Sequence, residues 1–575
     1  MAATPAPPSP PPLPAQRATS PAPSPARHPA HSEATRLLCA GVYLDSGFRS
    51  RVIEELVEHE ERPVAPSLGV DAVPVLAHAL RARAQEWQTA ALLLAVWIGF
   101  FWMDLAASDG SLSSTSYDPY TGASSSSLDW TGVAGQAPWA LAYAWICLQL
   151  FLARVIGGRG TATYVEERDK ASRAGISRWR KWLARYFVFY GRFTAIVYWI
   201  AAIVAVSQGD TPEGLLFPLL ITAVIAWHRY RIAAVFRHEL SPEAFERLPR
   251  ATLPPGERYQ RIGAAIDREQ HSALMIYDPF RPFIGAGETY EPWSFALELK
   301  RKKPEGRSDR LTSRQVLDLI RPQLERLRDA SAATSRDRLK DLELEECVFL
   351  PAGPPRGLIS YAPDEVARHI EGSVDEGAEA RRLFLRIRVG AWDEQVVTTI
   401  LVRVHTQGGM LVLEVVPHVL SPIRAEYKRG DAIAAQSGSG VLREAVRALF
   451  TSPTASVASA FSAGRTIAGT FRLWLSDPRH ALPDAPAASV RELGSMPGVW
   501  LFQEMDISRY VKTVQDRIVN GVREALRSQG YETGEFEQQV VNVAGGGVFI
   551  GGSMSGGAIA SGAGAQANAG GSSST

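Results

Sequence analysis

One short segment contains both a residue type that binds anions and glycines, which give the backbone unusual conformational freedom. It runs from Asp278 to Glu288 and reads DPFRPFIGAGE. Arg281 can pair with an anionic group, and Gly285 and Gly287 permit a ligand to approach the backbone closely. A phosphate site would normally have a helix amino terminus beside such a loop, whereas a strand-like run follows here. We therefore interpret the segment first as a connection between two strands. Its aspartate, arginine and two glycines are a weak second prediction of a ligand site.

The familiar sequence motifs of catalytic and metal chemistry are missing. The chain contains no GxxxxGK(S/T) phosphate loop, HExxH, EF-hand loop, kinase signature or GxSxG. Its 11 histidines include no pair at i and i+4, and its three cysteines lie far apart. We predict no catalytic residue, metal site or cofactor. Glu343, Glu345 and Glu346 are interpreted as a solvated strand face rather than a catalytic carboxylate site.

The overall charge excludes a general attraction to nucleic acid. Lys and Arg number 61 against 60 Asp and Glu, which leaves a net charge of +1 over 575 residues. We therefore predict no nucleic-acid partner.

Four apolar segments dominate the first half of the chain, at 87–107, 138–156, 187–207 and 214–236. A membrane-spanning helix needs about 20 mostly apolar residues. The first two segments meet this requirement and carry Trp or Tyr near their ends, as membrane interfaces do. The sequence therefore predicts a membrane protein with about four transmembrane helices.

Charged residues leave two interpretations of the last two segments. Arg192 interrupts the third, and Arg229 and Arg231 interrupt the fourth. Either both segments span, with these arginines reaching the headgroups, or 193–227 is a hairpin that enters the membrane and returns. We favour spanning.

The placement of Lys and Arg predicts the orientation. No basic residue lies between Arg83 and Arg154, and none lies between Arg192 and Arg229. The connection 154–192, by contrast, holds ten basic and three acidic residues. Because cytoplasmic loops retain Lys and Arg, we predict a multi-pass protein of the cell membrane with both termini in the cytoplasm.

Seven cations are expected at the membrane interface: Arg178, Arg180, Lys181, Arg185, Arg192, Arg229 and Arg231. Trp179, Trp182 and Tyr186 alternate with those near 180, a pattern typical of an amphipathic helix on an anionic leaflet. The simpler interpretation is the positive flank of the third apolar segment, and the two are compatible. The lipid bilayer is accordingly a predicted partner.

The region after the last apolar segment has α+β periodicity. Strands are predicted at 273–277, 294–300, 345–350, 383–389, 396–404 and 410–416. Gly408 and Gly409 predict a hairpin between the last two, and 382–420 is interpreted as an antiparallel meander. Helices are predicted at 313–329, 363–371, 441–450 and 507–529.

The predicted fold is an α-helical membrane domain followed by a cytosolic α+β domain with an antiparallel meander. In chain order the parts are a disordered proline-rich tail (1–35), a small cytosolic helical segment (36–85), the transmembrane region (86–237), the cytosolic α+β region (238–540) and a Gly/Ala/Ser-rich tail (541–575).

Two helical segments allow more than one interpretation. An apolar stripe at helical spacing consists of Ile507, Val511, Val514, Ile518, Val522 and Leu526. It is most simply a core face, and otherwise a face for a protein partner or for self-association, a role that the glycine-rich tail could also serve. The segment 456–475 is apolar but contains Arg465 and Arg472, which favours a surface or buried helix over a fifth crossing.

Three stretches carry a family resemblance: RLLCAGVYLD (from Arg36), YDPFRPFIGAGETYEPWSFALEL (from Tyr277) and VVNVAGGGVFIGGSMSGGAIA (from Val540). They resemble uncharacterised multi-pass membrane proteins of Streptomyces-type actinobacteria. The resemblance covers most of the chain and implies no activity.

These patterns lead us to expect a membrane-anchored binding, signalling or scaffold protein with a cytosolic domain that binds a ligand or partner. The alternative is a membrane-anchored enzyme with a new site near 278–288. A small channel or transporter is a third hypothesis, which the sequence supports least. The apolar segments hold no acidic residue except Asp104, at the predicted outer end of the first.

Overall fold

The computed structural model describes residues 29–107, 113–117, 124–128, 137–157, 177–209, 212–302, 311–334, 337–374, 381–391, 395–436, 441–476 and 483–538. The tail predicted at 541–575 and residues 1–28 of the proline-rich tail lie outside these ranges. Regular structure begins before the predicted boundary at residue 35, because a helix starts at Glu33. Ser32 caps that helix by accepting a hydrogen bond from the backbone N–H of Thr35.

The described α-helices are α1 (Glu33–Leu44), α2 (Ser46–Ile53), α3 (Ala72–Ala107), α4 (Pro138–Ile156), α5 (Arg178–Ser207), α6 (Glu213–His238), α7 (Pro242–Arg247), α8 (Glu257–Glu269), α9 (Ser313–Thr334), α10 (Pro363–Ser373), α11 (Arg429–Gln436), α12 (Val441–Ser476), α13 (Val490–Leu493) and α14 (Leu501–Ser528). The described strands are β1 (Ser113–Tyr117), β2 (Ser124–Leu128), β3 (Leu274–Tyr277), β4 (Glu288–Thr289), β5 (Trp293–Glu298), β6 (Glu343–Pro351), β7 (Arg382–Ala391), β8 (Val396–Gln407) and β9 (Met410–Leu420). β1 and β2 pair antiparallel between α3 and α4.

Helices α3, α4, α5 and α6 are long and apolar enough to cross a membrane. The shortest, α4, has 19 residues. At about 1.5 Å per residue it approaches the ~30 Å thickness of the bilayer's hydrocarbon. Large apolar side chains, among them Ile98, Trp102, Phe189 and Ile196, are exposed on these helices. Such an apolar exterior indicates association with a membrane.

Helices α3, α4, α5 and α6 pack together as a helix bundle. A further helix, α12, packs against this bundle although it belongs to the C-terminal half of the chain. Its most buried side chains are small: Ala448, Ser452, Ala455, Ala458 and Ser459. The Ser452 hydroxyl lies 3.0 Å from that of Thr222 on α6. The Phe461 ring stacks on Phe151 of α4 with centroids 5.2 Å apart. Small residues allow such close helix contacts, and the predicted helices at 441–450 and 456–475 are one helix lying against the bundle.

A hydrophobic core at the end of the bundle joins it to the rest of the protein. It combines α1, α2, the first turns of α3, the end of α6, α8 and Tyr427. The buried Arg36 crosses this junction, because its Nη1 donates to Asp431 at 2.6 Å and to the Leu240 carbonyl at 2.8 Å. Burial lowers the pKa of Arg36, but its hydrogen bonds to Glu33 and Asp431 outweigh that effect and raise it. The arginine therefore remains charged inside the junction.

Strands β3 to β9 form one mixed sheet in the order β3-β6-β7-β8-β9, with β4 and β5 both along the free edge of β9. Neighbours from β6 to β9 pair antiparallel. β3 pairs in parallel with β6, because the chain between them leaves the sheet edge and returns in the same direction. The sheet as a whole is therefore mixed, whereas β7, β8 and β9, which occupy the segment 382–420, pair antiparallel in chain order. The predicted hairpin is confirmed, since Gly408 and Gly409 (φ 60° and 82°) join the paired residues Gln407 and Met410.

Helices α9 and α14 cover one face of the sheet. The apolar stripe of α14 is at most 1% exposed, which confirms its interpretation as a core face. A Cβ on Gly521 of α14 would lie 2.7 Å from the Cα of Ile320 on α9, so the two helices touch backbone to backbone. A partner contact through α14 stays a prediction.

Candidate functional site

Residues 278–288, the predicted ligand loop, cross the sheet from one edge to the other. They leave β3 at one edge and enter β4 at the opposite edge. In the middle, the Phe283 ring contacts Phe349 of β6, Phe384 of β7 and His418 of β9, with centroids 4.9 to 5.5 Å away. These three residues lie on the face opposite α9 and α14. We call residues 278–288 the strap, because they close this second face.

Asp278 and Arg281 form a tight turn where the strap begins. The Arg281 N–H donates to the Asp278 carbonyl at 3.0 Å, and the Asp278 carboxylate accepts from the Phe280 N–H at 2.9 Å. This is the local pattern that Asp favours in turns. The Arg281 guanidinium donates to the carbonyl of Ala487 at 3.3 Å. The side chains of both predicted ligand residues are therefore hydrogen-bonded to backbone groups.

The structure brings Gly285 and Gly287 together on a carboxylate that the sequence analysis did not single out. Both backbone N–H groups donate to Oε1 of Glu492, at 2.7 and 3.0 Å. Glu492 is held by a capping box at the start of α13, in which Ser489 accepts from its backbone N–H. The anion-binding geometry expected of this loop exists, and a side chain of the same chain occupies it. Glu492 lies more than 200 residues away in sequence, so no local pattern indicated this contact.

Close packing explains why the strap contains these glycines. Their φ angles are 96° and 93°, in the left-handed region that favours glycine. A Cβ on Gly285 would lie 2.6 Å from the Pro66 carbonyl oxygen, and one on Gly287 would lie 2.2 Å from that of Val419. Both positions therefore require glycine for structural reasons alone.

His418 lies buried beneath the strap. Its Nδ1 donates to the carbonyl of Val416 at 3.2 Å, and its Nε2 is 3.4 Å from the Thr289 hydroxyl. Burial lowers its pKa to about 4. The imidazole is therefore neutral at pH 7, and it packs edge-on against Phe283 as part of the core.

The three glutamates of β6 lie in ion pairs. Glu343 bonds Arg388 at 2.7 Å, Glu345 bonds Arg386, and Glu346 accepts from both Arg314 and Arg321 at 2.9 and 2.8 Å. These pairs align β6 with β7 and fasten α9 to the sheet. Their geometry fits a structural role, because each carboxylate already has a cationic partner.

The seven predicted interface cations lie on two helices. Arg178, Arg180, Lys181, Arg185 and Arg192 are on α5, and Arg229 and Arg231 are on α6. Arg229 donates to the Thr451 hydroxyl of α12 at 2.8 Å. Arg231 donates to Gln88 at 2.7 Å and lies over the Trp227 ring. The α6 cations thus contact neighbouring helices, whereas Lys181, Arg185 and Arg192 line a cavity.

A cluster of large apolar side chains lies exposed at the start of α14. Trp500, Leu501, Phe502 and Met505 are 64%, 69%, 72% and 59% exposed. They follow the turn at Gly498 and precede the buried stripe of the same helix. We call these four residues the apolar tip. These four residues lie before the predicted start of the helix at residue 507, so the apolar stripe did not indicate them.

Residues 292–555 match the family model of the AbeC-like domain. The matching segment, called the AbeC-like domain below because of this similarity, includes β5 to β9, α9 to α14 and the apolar tip. Helices α1 to α8 and the strap precede it. Neither the curated proteins nor the solved structures contain a match to the chain. Within the described ranges, no cluster of three or more His, Cys, Asp or Glu residues could hold a metal ion.

Proposed function

We propose that this protein is a membrane-anchored binding or scaffold protein whose AbeC-like domain recruits a protein partner in the cytoplasm. The observation that carries the proposal is the apolar tip. Four adjacent large apolar side chains in water are unfavourable, and such patches usually mark interaction surfaces. Trp is also among the residues that contribute most to binding energy in protein interfaces.

The charges around the apolar tip favour a protein over a lipid surface. Glu504 is exposed among the four apolar residues, Asp506 follows, and no Lys or Arg lies between Trp500 and Arg509. Two carboxylates would be repelled by an anionic leaflet. They suit a partner with an apolar pocket and a basic rim.

The proposed orientation rests on the distribution of Lys and Arg. The connection between α4 and α5, including their flanks from Arg154 to Arg192, holds ten basic residues, and positive charge marks cytoplasmic loops. A reporter fused near Ser125 should read extracytoplasmic, and one near Arg178 should read cytoplasmic. The reverse pattern would refute the orientation.

Site-specific photocrosslinking in cells tests the partner. A photoreactive residue replaces Met505 in the full-length protein, and a matched control replaces Asp516, an exposed polar position on the same helix. We expect one discrete protein adduct at 505 and none at 516. Trp500→Ser should abolish the adduct while leaving the melting temperature unchanged. Adducts to lipid alone, or equal adducts at both positions, would overturn the proposal.

The alternative of a membrane-anchored enzyme near the strap requires free groups at that loop. The hydrogen bonds from Gly285 and Gly287 to Glu492 favour the binding protein instead. The enzyme hypothesis predicts turnover by the purified protein, lost on Arg281→Gln without a fall in melting temperature.

A further inference from the structure

A cavity of about 670 Å³ lies between the C-terminal end of α4 and the N-terminal half of α5. Its lining combines small, cationic and large apolar side chains: Ala153, Gly157, Lys181, Ala184, Arg185, Val188, Phe189, Arg192, Phe193 and Ile196. The two helices touch through small residues, since a Cβ on Gly191 would lie 2.8 Å from the Leu150 side chain. In the orientation proposed above, this cavity opens at the cytoplasmic leaflet.

One rim of the cavity is cationic. Lys181 and Arg185 are one turn apart on α5, and Arg192 lies two turns further along. Among the described residues that line the cavity there is no Asp or Glu. Side chains on a helix tilt toward its N-terminus, so Arg192 extends back toward Arg185. The three positive groups therefore all lie on the side of α5 that lines the cavity, with Lys181 and Arg185 nearest the start of the helix.

The floor of the cavity is apolar. Phe189 lies between Arg185 and Arg192, and Phe193 and Ile196 follow beyond them; all three are exposed and line the same cavity. A ligand that satisfies both parts must carry negative charge at one end and hydrocarbon at the other. Free phosphate would leave the floor uncovered, and a neutral lipid would leave the cations without an acceptor.

We propose that this cavity is a binding site for one anionic glycerophospholipid of the cytoplasmic leaflet. The phosphate lies between Lys181 and Arg185, where a phosphate oxygen can accept from both. Arg192 donates to the ester oxygens one layer deeper, and the acyl chains run over Phe193 and Ile196. Basic pockets between helices on the cytoplasmic side suit such headgroups.

The same helix supplies a matched control. Arg178 and Arg180 are exposed, precede the cavity by one turn or less, and do not line it. Replacing Arg178 and Arg180 by Gln removes two positive charges from α5, and so does replacing the lining pair Arg185 and Arg192. A general attraction to an anionic membrane would weaken equally in both double variants, whereas a discrete site would respond only to the lining pair.

Native mass spectrometry and thermal unfolding of the full-length protein in neutral detergent provide the test. With phosphatidylglycerol, the wild type should retain one lipid and melt at a higher temperature. Phosphatidylcholine and water-soluble glycerol phosphate should do neither. R185Q/R192Q should weaken phosphatidylglycerol binding at least about tenfold, which corresponds to about 1.4 kcal/mol, while R178Q/R180Q should match the wild type.

A second variant tests the apolar floor without changing charge. Ile196→Trp should fill the cavity and displace the lipid while the protein still folds. Equal losses in the two arginine pairs, retained binding in R185Q/R192Q, or the same response to glycerol phosphate would each overturn the proposal. None of these measurements depends on the orientation or on the apolar tip, so the lipid site and the proposed function can fail separately.

Discussion

Removing the carboxylate of Glu492 should release the strap. Its Oε1 accepts the backbone N–H groups of Gly285 and Gly287, and these two bonds fasten the strap at the end that enters β4. A hydrogen bond to a charged group contributes about 1.5 to 3 kcal/mol, and partial exposure places these at the lower end. We therefore expect Glu492→Ala to reduce the free energy of unfolding by about 3 kcal/mol. Glu492→Gln keeps an accepting oxygen without the charge and should lose about half as much.

The assay combines thermal unfolding of the full-length protein in detergent with amide hydrogen exchange of the peptide 278–288. Exchange of that peptide should accelerate in Glu492→Ala before the rest of the sheet opens, because the strap loses its fastening first. Glu365→Ala is the control, since it removes a carboxylate from a surface i,i+3 pair with Arg368. Surface pairs contribute little, so the control should stay within about 0.5 kcal/mol of the wild type.

Two results would refute this reasoning. An unchanged melting temperature in Glu492→Ala would show that the carboxylate does not hold the strap. A loss in Glu492→Gln as large as in Glu492→Ala would show that charge, rather than the presence of an acceptor, decides the contact.

Three further predictions follow from buried positions, each measured by unfolding of the purified protein. Gly287→Ala should cost more than about 2 kcal/mol, since its Cβ meets a backbone oxygen at positive φ, whereas Gly353→Ala meets nothing within 4 Å and should be neutral. His418 has a folded-state pKa of about 4 against an ordinary value of 6.5, so the unfolded chain takes up the proton first and stability should fall as pH drops from 6.5 to 4. His418→Gln should remove about 3 kcal/mol of that loss, and an unchanged pH slope would contradict the burial argument. Ala458→Leu should destabilise the contact of α12 with the bundle by about 1 to 3 kcal/mol, whereas Gly464→Leu, with open space around it, should not.

Elements with strong periodicity could be predicted from the sequence. The stripe from Ile507 to Leu526 repeats at helical spacing, and its burial follows directly from that pattern. Gly408 and Gly409 between two alternating runs specify a two-residue turn, because only glycine readily adopts positive φ at both positions. The four long apolar helices follow from length and composition.

Contacts between distant segments could not be predicted in the same way. The strap was recognised as a connection between strands, but its sequence carries no information about which edges those strands occupy. The parallel pairing of β3 with β6 follows from that same long-range choice. At the candidate site, Gly285 and Gly287 were predicted to let a ligand approach the backbone, and in the structure their N–H groups donate to a side chain of the same chain. Glu492, which occupies their N–H groups, belongs to a Ser-x-x-Glu pattern typical of a capping box, but that pattern carries no information about a contact with a segment more than 200 residues away.

Helix α12 was ambiguous for a different reason. Its buried face is built from Ala and Ser, whose small side chains give little hydrophobic signal. Arg465 and Arg472 further lowered its apparent apolarity. In a helix bundle, however, small residues are what allow backbones to approach, so packing in such an environment depends on size more than on hydrophobicity.

Through α12, the AbeC-like domain and the helix bundle share a packed surface. The domain contributes α12 to the bundle, and Tyr427 and Asp431 from the same domain pack into the junction with α1. A fragment containing only residues 292–555 would expose both surfaces and leave Asp431 without Arg36. Signals between the bundle and the domain would therefore need no flexible linker, since a displacement of α4 or α6 acts directly on α12 through the Phe151–Phe461 and Thr222–Ser452 contacts. A bound lipid between α4 and α5 would bias the same contacts, because it fixes the spacing of α4.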